Sequence, residues 1–279
     1  MGTRQTEARS ETQEIVEMTY DASLVIDAYT KHATAEDEAE KQPSLRVEIP
    51  RAFIRKYLKA SDMVLDAGGG TGINAIMMAE RCQRVTLLDI TPEILDLARH
   101  NVSGTKVADR IDLVQGDIAD LSRFPDGTFT FVVCVGDAIS YVLDERFRAM
   151  EELVRVAQQG SILIIGCDSK LGFMRLKLGQ GLLEEAIEIY GTGGTYCGMG
   201  PKTHLYTVEE MSTLLQENGC DILEVASTPT LADAIDRQVY RAYHEKGEWE
   251  NLKNLELEIC TRPELLGMGL HLLFVARKR

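Results

Sequence analysis

Asp66-Ala67-Gly68-Gly69-Gly70-Thr71-Gly72 follows the apolar run Met63-Val64-Leu65 and precedes a helix-like stretch, Ile73 to Cys82. A strand that ends in glycines and turns into a helix leaves unpaired backbone N–H groups at the turn. Glycine removes the Cβ that would hold a ligand away from them. The turn is therefore suited to a small polar ligand lying against the main chain. The dinucleotide pattern G-x-G-x-x-G needs a third glycine where this chain has Ile73. Asp66, two residues before the first glycine, would also set a negative charge near a pyrophosphate. The spacing instead favours a ligand with a cationic end.

The next segments repeat the theme. Arg84 to Ile90 forms a second buried strand closed by Asp89, about 20 residues past the glycines, where a carboxylate can accept from ribose hydroxyls. Asp89 is also placed to serve as a simple strand-end or helix-capping acid. Thr91-Pro92 opens a helix, with Thr91 as N-cap. A third strand, Ile111 to Ile118, contains Asp117, and a fourth, Thr128 to Val135, runs into Gly136-Asp137-Ala138.

These strand ends, in this order and spacing, resemble the class I S-adenosylmethionine-dependent methyltransferases of small molecules. The resemblance covers roughly residues 45–279 and is densest from 63 to 141. It implies S-adenosylmethionine as cofactor, held by Asp66, Gly68, Gly70, Asp89 and Ile90. It also implies Asp117 and the Ile118 N–H against the adenine, with Val135 and Gly136 beside the methyl group. Tyr20 and Tyr29 are added because family members often fold an N-terminal helix over the cofactor. An Asn/Asp-Pro-Pro-Tyr/Phe run for nucleobase amines is absent after the fourth strand, as is a Pro-Cys pair for cytosine. What remains is methyl transfer to O, N or S of a small molecule. A protein or RNA acceptor, a nucleotide-cofactor oxidoreductase on the same sheet, and a non-catalytic binding module stay open as alternatives.

Proton acceptors are less legible, because the family often dispenses with a dedicated base. Asp137 and Tyr141 follow the fourth strand, and His204 follows a glycine-rich stretch. These three are the catalytic candidates.

Strand and helix patterns alternate through five strands, the fifth at Ser161 to Gly166. The expected fold is α/β: a doubly wound, mostly parallel seven-stranded sheet with helices on both faces. The last strand, Leu270 to Arg277, takes an antiparallel place by resemblance. Residues 1–11 read as a disordered tail, 12–59 as a helical cap, and 60–279 as the cofactor domain with a lid inserted at 170–206. Within the cap, Ile15, Met18, Ala22, Val25 and Tyr29 form a helical stripe and Lys31 to Gln42 reads as a charged loop. Within the insertion, Met174 to Ile189 reads as one helix and Gly191 to Pro201 as a mobile segment. Thr207-Val208-Glu209-Glu210 is a capping box, and Leu231 to Lys246 reads as a helix.

With 30 Lys+Arg against 44 Asp+Glu the net charge is −14, which argues against a nucleic-acid partner. No apolar run is long enough to span a membrane, and no secretory signal opens the chain. The six cysteines show no C-x-x-C spacing, so a cysteine-based zinc site is not expected and no metal ligands are assigned. A cytoplasmic monomer or homodimer follows as the expectation.

Overall fold

A computed structural model describes residues 19–196, 198, 200–232, 235 and 237–279. The proposed tail, Ile15 and Met18 lie outside the described residues.

Strands β1 (Met63–Ala67), β2 (Arg84–Asp89), β3 (Ile111–Gln115), β4 (Phe129–Cys134) and β5 (Ala157–Asp168) pair in parallel. Two later strands, β8 (Cys220–Thr228) and β9 (His271–Lys278), close the sheet in the order β3-β2-β1-β4-β5-β9-β8. β9 runs antiparallel to both neighbours, as expected. The chain winds outward from β1 to β3 and then resumes on the other side at β4. That reversal opens a crevice at the carboxyl ends of β1 and β4.

Alternation along each strand feeds two cores. Leu65, Val132, Leu163 and Phe274 pack on one face under α6 (Arg146–Val156) and α9 (Val208–Glu217). Val64, Val133, Ile164 and Val275 pack on the other under α2 (Leu45–Tyr57), α3 (Ile73–Ala79), α4 (Pro92–Ser103) and α11 (Trp249–Ile259). The near-continuous apolar strands are what a sheet covered on both sides requires.

Several expectations need correction. Lys31 to Gln42 is not a loop: α1 spans Ala22–Lys41 without a break. Its charged second half is rich in Ala and Glu, both good helix formers. It is tied down by Thr30 Oγ1 donating to Glu93 and by Asn101 Nδ2 donating to Asp37. Met174 to Ile189 is two helices, α7 (Lys170–Gly179) and α8 (Leu183–Thr192), joined through a turn at Gly181 and bridged by Lys177–Glu185 at 2.6 Å. The described residues of Gly191 to Pro201 include the end of α8 and a short strand, β6 (Gly194–Tyr196), which pairs antiparallel with β7 (Lys202–His204) just beyond the stretch. Among the described residues of Leu231 to Lys246 the α-helix is α10 (Arg237–Glu245), shorter than expected, and no helix was expected where α11 lies. No helix among the described residues is long and apolar enough to cross a membrane.

Candidate cofactor and acceptor site

The crevice is roofed by α1 and α2 to form a cavity. Its floor is the turn after β1. Gly68 sits at φ +71°, and a Cβ there would stand 2.7 Å from the Ala138 Cβ. Gly70, at φ +57°, passes under the Glu40 carboxylate, which a Cβ would strike. Positive φ and these close approaches favour glycine at both positions, and the Gly68 and Gly69 N–H groups donate to the Leu88 carbonyl at 2.8 and 3.1 Å. The Gly70 N–H donates to Asp89 Oδ2 at 3.1 Å, and Asp89 Oδ1 accepts the Thr91 N–H at 2.9 Å. Thr91 is the N-cap of α4 by position, but its hydroxyl makes no capping bond. Asp89 thus binds the glycine turn and that helix start together, as a strand-end or helix-capping acid does.

Of the cofactor residues expected from sequence, Tyr20, Tyr29, Asp66, Gly68, Gly70, Asp89, Ile90, Asp117, Ile118, Val135 and Gly136 all line the cavity. Asp117 accepts the Tyr20 hydroxyl at 2.7 Å and the Ala119 N–H at 2.8 Å. Tyr29 meets Tyr141 edge to face, with ring centroids 5.8 Å apart.

Electrostatically the cavity is acidic. Five carboxylates line it (Glu36, Glu40, Asp66, Asp89, Asp117) against two guanidiniums, Arg46 and Arg51. Asp66 is 1% exposed, and its Oδ2 has no hydrogen-bond partner. Burial, then the charges of Glu40 and Asp89, push its carboxyl up to about 8. Burial also raises Glu40 and Asp89, with backbone N–H bonds partly opposing the shift at Asp89. An orphaned, buried carboxylate beside a bare glycine cradle fits a cofactor with an ammonium and a sulfonium. It does not fit a diphosphate, whose negative charge would meet the other acids that line the cavity.

The catalytic candidates separate. Tyr141 lines the cavity. Asp137 does not: it is buried behind the wall, where its Oδ2 lies 3.1 Å from Arg46 Nη2 and 3.1 Å from His271 Nδ1. It follows Gly136 in left-handed backbone, φ +69°, a conformation that costs a non-glycine residue about 1 kcal/mol. Burial pushes the Asp137 carboxyl up, but the charges of His271 and Arg46 prevail and hold it at about 2. Burial drives His271 down, but Asp137 and Asp168 together prevail and raise it to about 9. Asp168, 3.2 Å from the same ring nitrogen, is raised by burial and by Asp137. His204 is also outside the cavity. It packs on Tyr206, with its Nε2 2.6 Å from Glu210 Oε1. The capping box explains the partner: Thr207 Oγ1 accepts the Glu210 N–H, while the Glu210 carboxylate turns to His204.

Sequence reasoning missed Glu40, Arg46 and Arg51 because they belong to the roof, whose packing no local pattern specifies. Arg46 has 59% of its side-chain surface accessible although surrounded by protein, because it faces the cavity. His271 had a usable signal: antiparallel pairing of the last strand with β5 sets it opposite Asp168.

Comparison with known proteins agrees with this geometry. Residues 64–160 match the family described as "Methyltransferase domain". A tRNA1(Val) (adenine(37)-N6)-methyltransferase of Shewanella amazonensis is 36% identical over 78 residues, 28% of this chain and 34% of that protein. Ribosomal protein L11 methyltransferase of Thermotoga neapolitana is 34% identical over 143 residues, 49% of this chain and 50% of that protein. The chain thus spans about half or less of the length of these curated relatives. The crystal structure of a Burkholderia thailandensis 1,6-didemethyltoxoflavin-N1-methyltransferase, with its substrate and S-adenosylhomocysteine bound, superposes with a TM-score of 0.59. It is 14% identical, with 92% of this chain and 88% of that chain covered, a likeness of fold. Residues 64–160 are a methyltransferase domain of the class I S-adenosylmethionine-dependent type. S-adenosylmethionine is the cofactor of that class.

Proposed function

We propose that this chain transfers a methyl group from S-adenosylmethionine to an O, N or S atom of a small-molecule acceptor. The observation that carries the cofactor is the orphaned Asp66 carboxylate under the glycine turn, flanked by Asp89 and Asp117 at neighbouring strand ends. The observation that favours a small acceptor is the roof. Tyr20, and Val25, Tyr29, Glu36 and Glu40 of helix α1, lie across the cavity. A second hollow shares Val25 and Tyr141 with the first and is bordered by Tyr196, Pro201 and Lys202 of the ribbon. Residues 170–206 then act as the lid that shapes the acceptor's entrance.

The cofactor, when bound, supplies an electrophilic methyl group on a sulfonium with a good leaving group already in place. The chain's task is alignment and exclusion of water. The glycine turn, by letting a ligand approach its backbone closely, and Asp66 would hold the amino-acid end, Asp89 the ribose, and Asp117 with the Ile118 N–H the adenine. Tyr29, Tyr141 and Arg46 line the acceptor's side, and Asp137 acts through Arg46 as a positioning residue.

Thermal melts test the cofactor assignment. S-adenosylhomocysteine at about 100 times its Kd stabilises the native state by roughly 2.7 kcal/mol, a rise in Tm of about 5 °C. Asp89→Ala weakens binding at least about tenfold, since the ribose acceptor and two backbone contacts go together. No shift with this ligand, or an equal shift with a nicotinamide dinucleotide, overturns the assignment. Turnover on a panel of thiols, phenols, amines and carboxylates, beside ribosomal protein and tRNA, then separates the small-molecule reading from a macromolecular one.

A further inference from the structure

We propose that Asp137, Asp168 and His271 form a binding site for one divalent transition-metal ion, set behind the cavity wall. The three come from three strand ends: Asp137 just beyond β4, Asp168 at the end of β5, and His271 at the start of β9. The sheet register, not chance proximity of surface acids, brings them together. All three are buried, and one ligand atom from each lies within 4.8 Å of the others.

The arrangement around His271 points to a metal. Nδ1 has Asp137 Oδ2 at 3.1 Å and Asp168 Oδ1 at 3.2 Å, yet it makes no well-directed hydrogen bond to either. The residue is 8% exposed, and that nitrogen is out of reach of bulk solvent. A ring N–H bonds along its own axis, to one oxygen in line. A metal about 2.1 Å from each of three ligands, at bond angles of about 90–110°, sets those ligands ~3.0–3.4 Å apart. It also leaves each oxygen ~35–45° off the nitrogen's axis, where a hydrogen bond is bent and a metal bond is straight. The two nitrogen–oxygen spacings, 3.1 and 3.2 Å, and the failed hydrogen bonds belong to that geometry.

The surroundings hold the carboxylates in place, as outer contacts do at metal centres. Thr203 Oγ1 donates to Asp168 Oδ2 at 2.5 Å, and the Asp168 N–H donates to Ser140 Oγ at 2.9 Å. Arg46 donates to Asp137 Oδ2, leaving that oxygen a second lone pair. One imidazole nitrogen with two carboxylate oxygens suits Mn²⁺, Fe²⁺ or Zn²⁺, not a soft ion such as Cu⁺. With neutral imidazole the cluster carries two buried negative charges against the one positive charge of Arg46, an excess that a divalent cation offsets. The bound ion would fix Asp137, and through it Arg46, at the cavity wall.

The test uses the full chain, stripped with chelator and titrated with Mn²⁺ and with Zn²⁺ by calorimetry, with elemental analysis after dialysis. One ion per chain is expected, with a rise in Tm. Asp168→Asn and His271→Gln should each weaken binding at least about 100-fold. If both variants unfold, electron spin echo spectra of the Mn²⁺-loaded natural chain decide, and should show coupling to one imidazole nitrogen. Uptake of neither ion, affinity unchanged in both folded variants, or absence of nitrogen coupling overturns the site. None of these readouts depends on methyl transfer, so the result stands apart from the fate of the functional proposal.

Discussion

Replacing Asp66 by Asn should stabilise the empty protein, and by an amount that grows with pH. The carboxyl's ordinary value of 3.8 is raised to about 8 in the fold. A group raised in this way contributes stability that is fully present below 3.8 and is lost as pH climbs toward 8. Each pKa unit is worth about 1.4 kcal/mol. At pH 7 the natural chain therefore carries a penalty of ~4 kcal/mol, and at pH 5 about 2 kcal/mol. Asn carries no such term, though its buried amide introduces a constant cost of about 1–3 kcal/mol. Subtracting the two pH values removes that constant. The stability of Asp66→Asn relative to the natural chain should rise by roughly 2–3 kcal/mol from pH 5 to pH 7, widening the Tm gap by about 5 °C. Ligand-free calorimetric melts at the two pH values measure it. Binding gives a second readout: the cationic cofactor should expel the Asp66 proton at pH 7, visible as a buffer-dependent binding enthalpy in the natural chain and absent in the variant. A Tm gap that does not change with pH would refute the reasoning, because Asp66 would then be ionised in the empty fold.

Gly68→Ala should cost about 2–5 kcal/mol, from roughly 1–2 for left-handed backbone and 1–3 for crowding Ala138, and denaturant unfolding should show it. His204→Gln should keep kcat/KM within about threefold, since the ring faces Glu210 and Tyr206 instead of the cavity. A loss of 100-fold or more, the scale of a removed general base, would return His204 to the reaction.

The cofactor half of the cavity was legible because each of its groups sits at a strand end, and strand ends are fixed by local patterns. Asp89 closes an apolar run, Gly68 and Gly70 interrupt one, and all three stand where expected. The roof was not legible for the opposite reason. Lys31 to Gln42 looks like a loop because its charges obscure any apolar stripe, yet its helix is held by polar contacts: Glu40 to Thr71 Oγ1 at 2.6 Å and Asp37 to Asn101 at 2.7 Å. Those pairs span 31 and 64 residues, beyond any window of periodicity. The structure sets His204 outside the cavity for a related reason. Its position after the glycine-rich stretch was read correctly, but which way a ribbon residue points depends on strand register, and that register turns it to Glu210.

On the proposed chemistry, the acidity of the cavity bears on turnover as well as binding. Methyl transfer converts a sulfonium to a neutral thioether, so the cofactor loses one positive charge while every carboxylate around it stays. A unit charge about 4 Å from a carboxylate is worth ~4 kcal/mol at the effective dielectric of a partly exposed site and ~1 kcal/mol in water. The walls therefore favour the reactant cofactor over its product by an amount in that range, which aids release. The same acidity would burden the empty protein if all the acids were charged at once. Asp66 avoids this because, with its carboxyl at about 8, it holds a proton at neutral pH until a cation arrives to replace it. A carboxylate kept near Arg51 or Arg46 would remain ionised in the empty state and could not make that exchange. The orphaned position of Asp66, away from both guanidiniums, is thus what lets one buried acid serve an empty site and a cation-filled one in turn.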